Sequence, residues 1–131
     1  MTIEVLANRR RRIDSADVVS LYESEAWWPE RRPEDIAAVL AKSPAPGAWD
    51  GDRLIGFARV VTDGRFHAYV EDMIVRERYR RRGVAAQLLS TMLAELPKAV
   101  VWTLFCSPEL VAVYESAGFQ RTDQIVLHKR T

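Results

Sequence analysis

The stretch Tyr79-Arg80-Arg81-Arg82-Gly83-Val84-Ala85 constrains this chain more than any other, because the hydrophobic pattern changes period across it. Before it, Ala68 to Val75 reads as a strand. After it, Val84, Leu88, Leu89, Met92, Leu93 and Leu96 recur at helical spacing until Pro97 stops the run. A strand that turns through glycine into a long apolar helix calls for a sheet on which the helix buries its face. The loop also carries chemistry: glycine lets the backbone approach a ligand, and the free amides and dipole of a helix start favour an anion. The same spacing also fits a solvated basic turn in which Gly83 is only a bend. Of the 19 cations 16 are arginine, so an arginine run is less informative here than in most chains.

The rest of the chain supplies the sheet. Ile3 to Ala7 reads as a first strand, followed by a basic loop at Arg9-Arg10-Arg11-Arg12. Asp14 or Ser15 caps a first helix near residues 15–27, with Val18, Leu21, Tyr22 and Ala26 on its apolar stripe. Pro33 opens a second helix with Glu34 and Asp35 in its positive first turn, and Ser43-Pro44 ends it. Asp50-Gly51-Asp52 and Asp63-Gly64 read as hairpin turns around the run Leu54 to Val61. In the following strand Glu71 and Asp72 are adjacent, and strict alternation puts them on opposite faces. Ala99 to Phe105 is a near-continuous apolar run, the pattern of a strand covered on both sides. Ser107 caps a last helix striped by Leu110, Val113, Tyr114 and Ala117, Gly118 ends it, and Phe119 to His128 should form a final strand or hairpin. The expected order is β-α-α-β-β-β-α-β-α-β in one α/β (α+β) domain over residues 1–131.

Composition narrows the function. A formal net charge of +1 provides no global field for nucleic acid or anionic lipid. Arg9 to Arg12 has no aromatic interleaving or helix-turn-helix signature beside it, so it reads as a solvent-facing loop. No apolar run approaches the ~20 residues of a membrane span. The single Cys106 forms no internal disulfide, and residues 1–4 lack the charged-then-apolar layout of a signal, so a reducing cytoplasm is expected. Cys106 reads as a small buried thiol rather than an acyl-carrying nucleophile. His67 and His128 have no ligand-spaced partners, and no metal is expected.

Arg80-x-x-Gly83-x-Ala85, preceded by Glu71-Asp72-Met73-Ile74-Val75 and followed by Val113-Tyr114-Glu115-Ser116-Ala117-Gly118-Phe119, resembles the GNAT superfamily of acyl-CoA N-acyltransferases. The resemblance covers about the last 80 residues in motif and the whole chain in element order. It implies a mixed twisted sheet whose central strands splay, with acetyl-CoA as cosubstrate. Its pyrophosphate would lie on the loop residues Arg80, Arg81, Arg82, Gly83, Val84, Ala85 and Ala86. The pantetheine arm would pair with the backbone at Met73, Ile74 and Val75, like an inserted strand. Many members carry asparagine after the next strand; here Ser107-Pro108 stands at that place, with Ser107 the corresponding contact.

Acyl transfer to an amine needs a neutral nucleophile, yet an alkylamine of pKa ~10.4 is protonated at neutral pH. Glu71, beside the expected thioester, is the candidate base, directly or through water; a sheet carboxylate paired with arginine is the alternative. The resemblance makes Tyr114 the acid that protonates the leaving thiolate, the alternative being a core aromatic. A backbone N–H of Met73 or Ile74, freed at a strand bulge, would hold the oxyanion. Trp27, Trp28 and Asp72 would line the acceptor site, Tyr-x-Glu-Asp at 69–72 being similar to polyamine-acetylating members; the alternatives are tryptophans that plug the core and a structural carboxylate at Asp72. Glu23, Glu25 and Glu30 suit either a cationic amine or a solvated helix face. The expected function is an N-acetyltransferase acting on a small, polyamine-like or peptide amine, with no nucleic-acid or membrane partner and a homodimer as the candidate assembly. The alternative is a non-catalytic acyl-CoA-binding or regulatory module.

Overall fold

A computed structural model describes residues 2–98 and 100–131. Among these the chain forms β1 (Ile3–Ala7), α1 (Ser15–Ser24), α2 (Pro33–Leu40), β2 (Pro46–Asp50), β3 (Arg53–Thr62), β4 (His67–Val75), α3 (Val84–Leu93), β5 (Val101–Leu104) and α4 (Val111–Glu115). Single 3-10 turns lie at Glu77–Tyr79 and Pro108–Leu110. The strands make one sheet in the order β1-β2-β3-β4-β5, antiparallel except for the parallel pair β4 and β5. The expected element order therefore holds through α4.

Local chemistry explains the helix starts. The Ala16 amide donates to Asp14 Oδ1 at 3.0 Å, so Asp14 is the cap of α1. Pro33 sits in the first turn of α2, where a missing amide costs nothing. Val18, Leu21 and Tyr22 of α1 and Ile36 of α2 pack with Trp49, Leu54, Phe57 and Ile74 on one side of the sheet. On the other side α3 buries Leu89 and Met92 against Ala58, Val60 and Val70, and Val84 and Leu88 against Ile55 and Val75. Gly56 permits that approach, since a Cβ there would stand 3.3 Å from the Leu88 side chain.

Four expectations are corrected. Helix α1 stops at Ser24 rather than near residue 27, because Ala26 (φ 56°) and Trp28 (φ 51°) adopt left-handed backbone that no helix continues through. Strand β5 spans only Val101–Leu104 and alternates between exposed and half-buried residues, with Val101 57% exposed; it is the sheet edge, not a strand covered on both sides. Ala99, its expected first residue, lies outside the described residues. Phe119 to His128 forms no strand or hairpin: with its edge-on contact to Phe105 the segment runs past β5 without joining the sheet, leaving Ile125 and Leu127 exposed. Cys106 follows the end of β5 and is exposed rather than buried.

The register of β3 and β4 matters most for the site. Arg59 faces Asp72 and Val60 faces Val70, so Glu71 has no partner and forms a bulge. A bulge breaks the alternation of the pleat and re-aims the side chains at it. Glu71 and Asp72 consequently share a guanidinium and a cleft instead of lying on opposite faces.

The β3–β4 turn is closed by Asp63, whose Oδ1 accepts from the amides of Arg65, Phe66 and His67 at 2.9, 2.8 and 3.2 Å. Those backbone donors lower its carboxyl to about 2. Because the folded value lies below the unfolded one (~3.9), the turn's added stability is present above pH ~4 and lost as pH falls towards 2. The Phe66 amide resonance should titrate with a midpoint near 2 in a pH series by NMR. A midpoint near the ordinary aspartate value would show that these bonds do not hold in solution.

Candidate active site

Two cavities and one helix start gather the residues singled out by the sequence. The loop after β4 begins with the buried Tyr79, whose hydroxyl donates to Asp50 at 2.5 Å and anchors the turn to β2. Arg81 (φ 65°) and Gly83 (φ 76°) then take left-handed backbone, and Gly83 caps α3. A non-glycine residue held there costs roughly 1–2 kcal/mol, the kind of strain that collects at ligand sites. The Gln87 amide reaches Gly83 O, so by helix geometry the amides of Val84, Ala85 and Ala86 lie ahead of the first helical bond. A Cβ on Gly83 would meet nothing within 4 Å beyond its chain neighbours, so the loop is open on that side of Gly83. The Arg80 side chain faces away from that space, donating from Nε to Val75 O at 2.8 Å and pairing with Glu25.

Beside the loop the sheet opens. Pairing of β4 with β5 ends at Val70 and Leu104, and Glu71 to Val75 have no strand partner on that side. No strand covers Met73, Ile74 and Val75 on that side, where the Val75 carbonyl accepts from Arg80. The bulge lies at Glu71, two residues before the place anticipated for it.

A cleft of about 470 Å³ is lined by Trp27, Trp28, Pro29, Glu30, Glu71 and Asp72, together with Arg130. It brings the two tryptophans and both carboxylates together, as their assignment to one site requires. Their oxygens are occupied from within. Arg31 pairs with Glu71 Oε1 and Arg59 with Oε2, both guanidiniums donating through Nη2. Asp72, only 3% exposed, accepts from Tyr22 Oη at 2.9 Å, Trp28 Nε1 at 3.1 Å and Arg31 Nη1 at 3.0 Å. Burial, and then the Asp72 charge, push the Tyr22 hydroxyl well above its ordinary range, so it stays a donor. Arg59 Nε is buried without a hydrogen-bond partner and faces Asp72 Oδ2 at 3.8 Å.

Tyr114 is not in this cleft. It lies on α4, edge-on to Phe119 at 6.0 Å, and lines a separate cavity of about 590 Å³ with Trp102, Leu104 and Cys106. Burial, and then the neighbouring Cys106, raise its hydroxyl above the ordinary tyrosine value, which keeps it protonated at neutral pH. Ser107 caps the 3-10 turn that leads into α4 without a side-chain cap bond.

Arg31, Arg59 and Tyr22 were not anticipated as parts of the site. Arg59 had a signal, being a charge inside the apolar run Leu54 to Val61. Arg31 had none, because it meets Glu71 across 40 residues of sequence.

The acetyltransferase (GNAT) domain profile matches residues 18–129. Histone acetyltransferase TAP1 of Glycine max is 27% identical over 122 residues, covering 82% of this chain and 52% of the relative. A ycf52-like N-acetyltransferase of Prochlorococcus marinus is 30% identical over 117 residues, covering 83% and 64%. The chain spans about half the length of the curated relatives it matches. Among solved structures, a GNAT-family acetyltransferase of Streptococcus pneumoniae superposes with a TM-score of 0.78 at 26% identity over 98% of this chain and all of that one. The aminoglycoside N-acetyltransferase AAC(6')-Iy in complex with CoA gives 0.69 at 19% identity over 98% and 95%, a likeness of fold.

Proposed function

Because the chain belongs to the GNAT acetyltransferase family, we propose that residues 1–131 act as one acetyltransferase domain that moves an acetyl group directly from acetyl-CoA to a primary amine. The observation that carries this reading is the end of β4–β5 pairing at Val70 and Leu104, which leaves Glu71 to Val75 without a strand neighbour on that side, together with the α3 start and the carboxylate cleft. Acetyl-CoA supplies, when bound, a thioester acetyl group that a neutral amine can take. The amides of Gly83, Val84, Ala85 and Ala86 hold its pyrophosphate, aided by the helix dipole. The edge at Met73 to Val75 supplies backbone donors and acceptors to the arm and a donor for the polarised carbonyl oxygen. Glu71 takes the proton of the incoming ammonium, directly or through water, and Tyr114 Oη gives its proton to the leaving sulfur. The single exposed thiol, Cys106, suits a reducing cytoplasm.

Exchanging Gly83 for Asp tests the phosphate loop. A Cβ at this position meets nothing beyond its chain neighbours, and aspartate tolerates left-handed backbone better than most residues, so folding should survive. Its charge lies where the pyrophosphate binds, and CoA affinity should fall about tenfold or more, since ~1.4 kcal/mol of repulsion is a factor of ten. Calorimetric titration of CoA into wild type and variant reads this directly; equal affinities would make the loop a simple turn. Mass detection of an N-acetylated product from an amine panel tests the whole reading.

One observation favours the non-catalytic alternative: both Glu71 oxygens are held by arginine, as in a structural ion pair. Tight CoA binding with no product from any amine, unchanged in Tyr114→Phe, would establish it.

A further inference from the structure

The contacts of Arg31 assemble a cation site that the chain fills with its own side chain. The guanidinium touches Glu71 Oε1 and Asp72 Oδ2, lies over the Trp28 ring at 3.9 Å, and stands 5.9 Å from the centre of Tyr22. Two carboxylates with an aromatic face are the surroundings that bind an organic cation. Both carboxylates also line the 470 Å³ cleft, so a molecule in the cleft reaches the groups that hold Arg31.

We propose that Arg31 selects the acceptor: it holds the place that a protonated primary amine takes on binding, and only a cation can exchange with it. This rests on the acetyl-transfer reading for the fate of the amine, but the exchange itself does not. The charge balance decides the selectivity. With Arg31 in place, Arg31 and Arg59 offset Glu71 and Asp72. If Arg31 leaves, Glu71, Asp72 and Arg59 keep one uncompensated negative charge in a site where Asp72 is buried. A neutral or anionic molecule leaves that charge unpaired, which is costly away from water, whereas an ammonium restores the balance.

The segment bearing Arg31 is a connection rather than part of a helix. It links α1 to α2, and Ala26 and Trp28 hold it in left-handed backbone that bears strain. The Arg31 side chain is 25% exposed, so part of it already meets solvent. Exchange also prepares the chemistry. Departure of Arg31 frees Glu71 Oε1, and the ammonium that replaces it donates a proton to that oxygen, leaving a neutral amine and a carboxylic acid while Arg31 stays charged. Glu71 is a structural pair in the resting protein and a proton acceptor only with a cationic acceptor in place.

The test needs no acetyl-CoA, so it stands or falls apart from acetyl transfer. Methylammonium and methylguanidinium chloride, with N-methylurea as neutral control, are titrated into full-length wild type, Arg31→Ala and Arg31→Lys. The readout is the NMR resonance of the Trp28 indole N–H, which donates to Asp72. If Arg31 vacates its place about 1–10% of the time, removing it should tighten cation binding roughly 10- to 100-fold. Arg31→Lys should stay near wild type, and N-methylurea should shift nothing. Arg31→Gln, which keeps the stem, gives the same reading should the alanine variant not fold. A folded Arg31→Ala or Arg31→Gln protein with wild-type cation affinity, or with equal response to N-methylurea, overturns the proposal. Failure of both to fold also overturns it, since Arg31 would then be a structural tie. Cation exchange without acetylated product would retain the site and reject the transfer reading.

Discussion

Tyr114→Phe should lower the rate of acetyl transfer at saturating acetyl-CoA by roughly 10²–10⁴-fold, the range for one positioned acid or base, at neutral and alkaline pH alike. The loss is not recovered at high pH because base supplies no acid to the leaving sulfur. Burial, and then the adjacent Cys106, raise the hydroxyl above its ordinary range, so it remains protonated into mildly alkaline pH. Phenylalanine preserves the contacts with Phe119 and the packing of this half-buried ring against the buried cluster around Leu89 and Met92, so the variant should fold and bind CoA normally. A pH–rate profile of the variant, with CoA affinity measured in parallel, is the check. Full rate at any pH would leave Tyr114 as packing alone.

Glu71→Gln should lose activity by a comparable ~10²–10⁴-fold near neutral pH and recover in part as the solution becomes alkaline enough to deprotonate the amine unaided. The two variants therefore separate by their rates relative to wild type, a constant deficit across pH for Tyr114→Phe and one that shrinks at alkaline pH for Glu71→Gln. Glutamine keeps the shape but removes the charge facing Arg31 and Arg59, and breaking a largely buried pair destabilises by up to ~3–5 kcal/mol. Thermal unfolding must accordingly be measured beside the kinetics. A variant that is less stable yet retains the wild-type pH profile would assign Glu71 to structure.

What the sequence disclosed follows the range over which each signal acts. The loop at Arg80 to Ala85 and the start of α3 were legible because glycine, helical periodicity and the preceding strand are all local. The carboxylate cleft was legible in its members, Trp27, Trp28, Glu71 and Asp72, but not in its geometry. Placing Glu71 and Asp72 together depends on the bulge, which is a property of the pairing between β3 and β4 and leaves no mark in β4 alone. Arg31 was hidden for a related reason: an ion pair so distant in sequence has no spacing to read, and 16 arginines make any one inconspicuous, whereas Arg59 stood out only as a charge inside an apolar run. The apolar run at Ala99 to Phe105 misled because hydrophobicity reports the preference for burial, while exposure of β5 is set by its place at the sheet edge. The final segment kept its strand-like composition without joining the sheet, since pairing also needs a register that composition does not supply.

The most direct test of acetyl transfer is release of free thiol from acetyl-CoA by the wild-type chain, followed over a panel of primary amines with the variants Tyr114→Phe and Gly83→Asp alongside. The predicted result is amine-dependent thiol release matched by N-acetylated product, lost in Tyr114→Phe without loss of CoA binding and weakened in Gly83→Asp through CoA affinity. Tight CoA binding with no amine-dependent thiol release, identical in wild type and Tyr114→Phe, would contradict it.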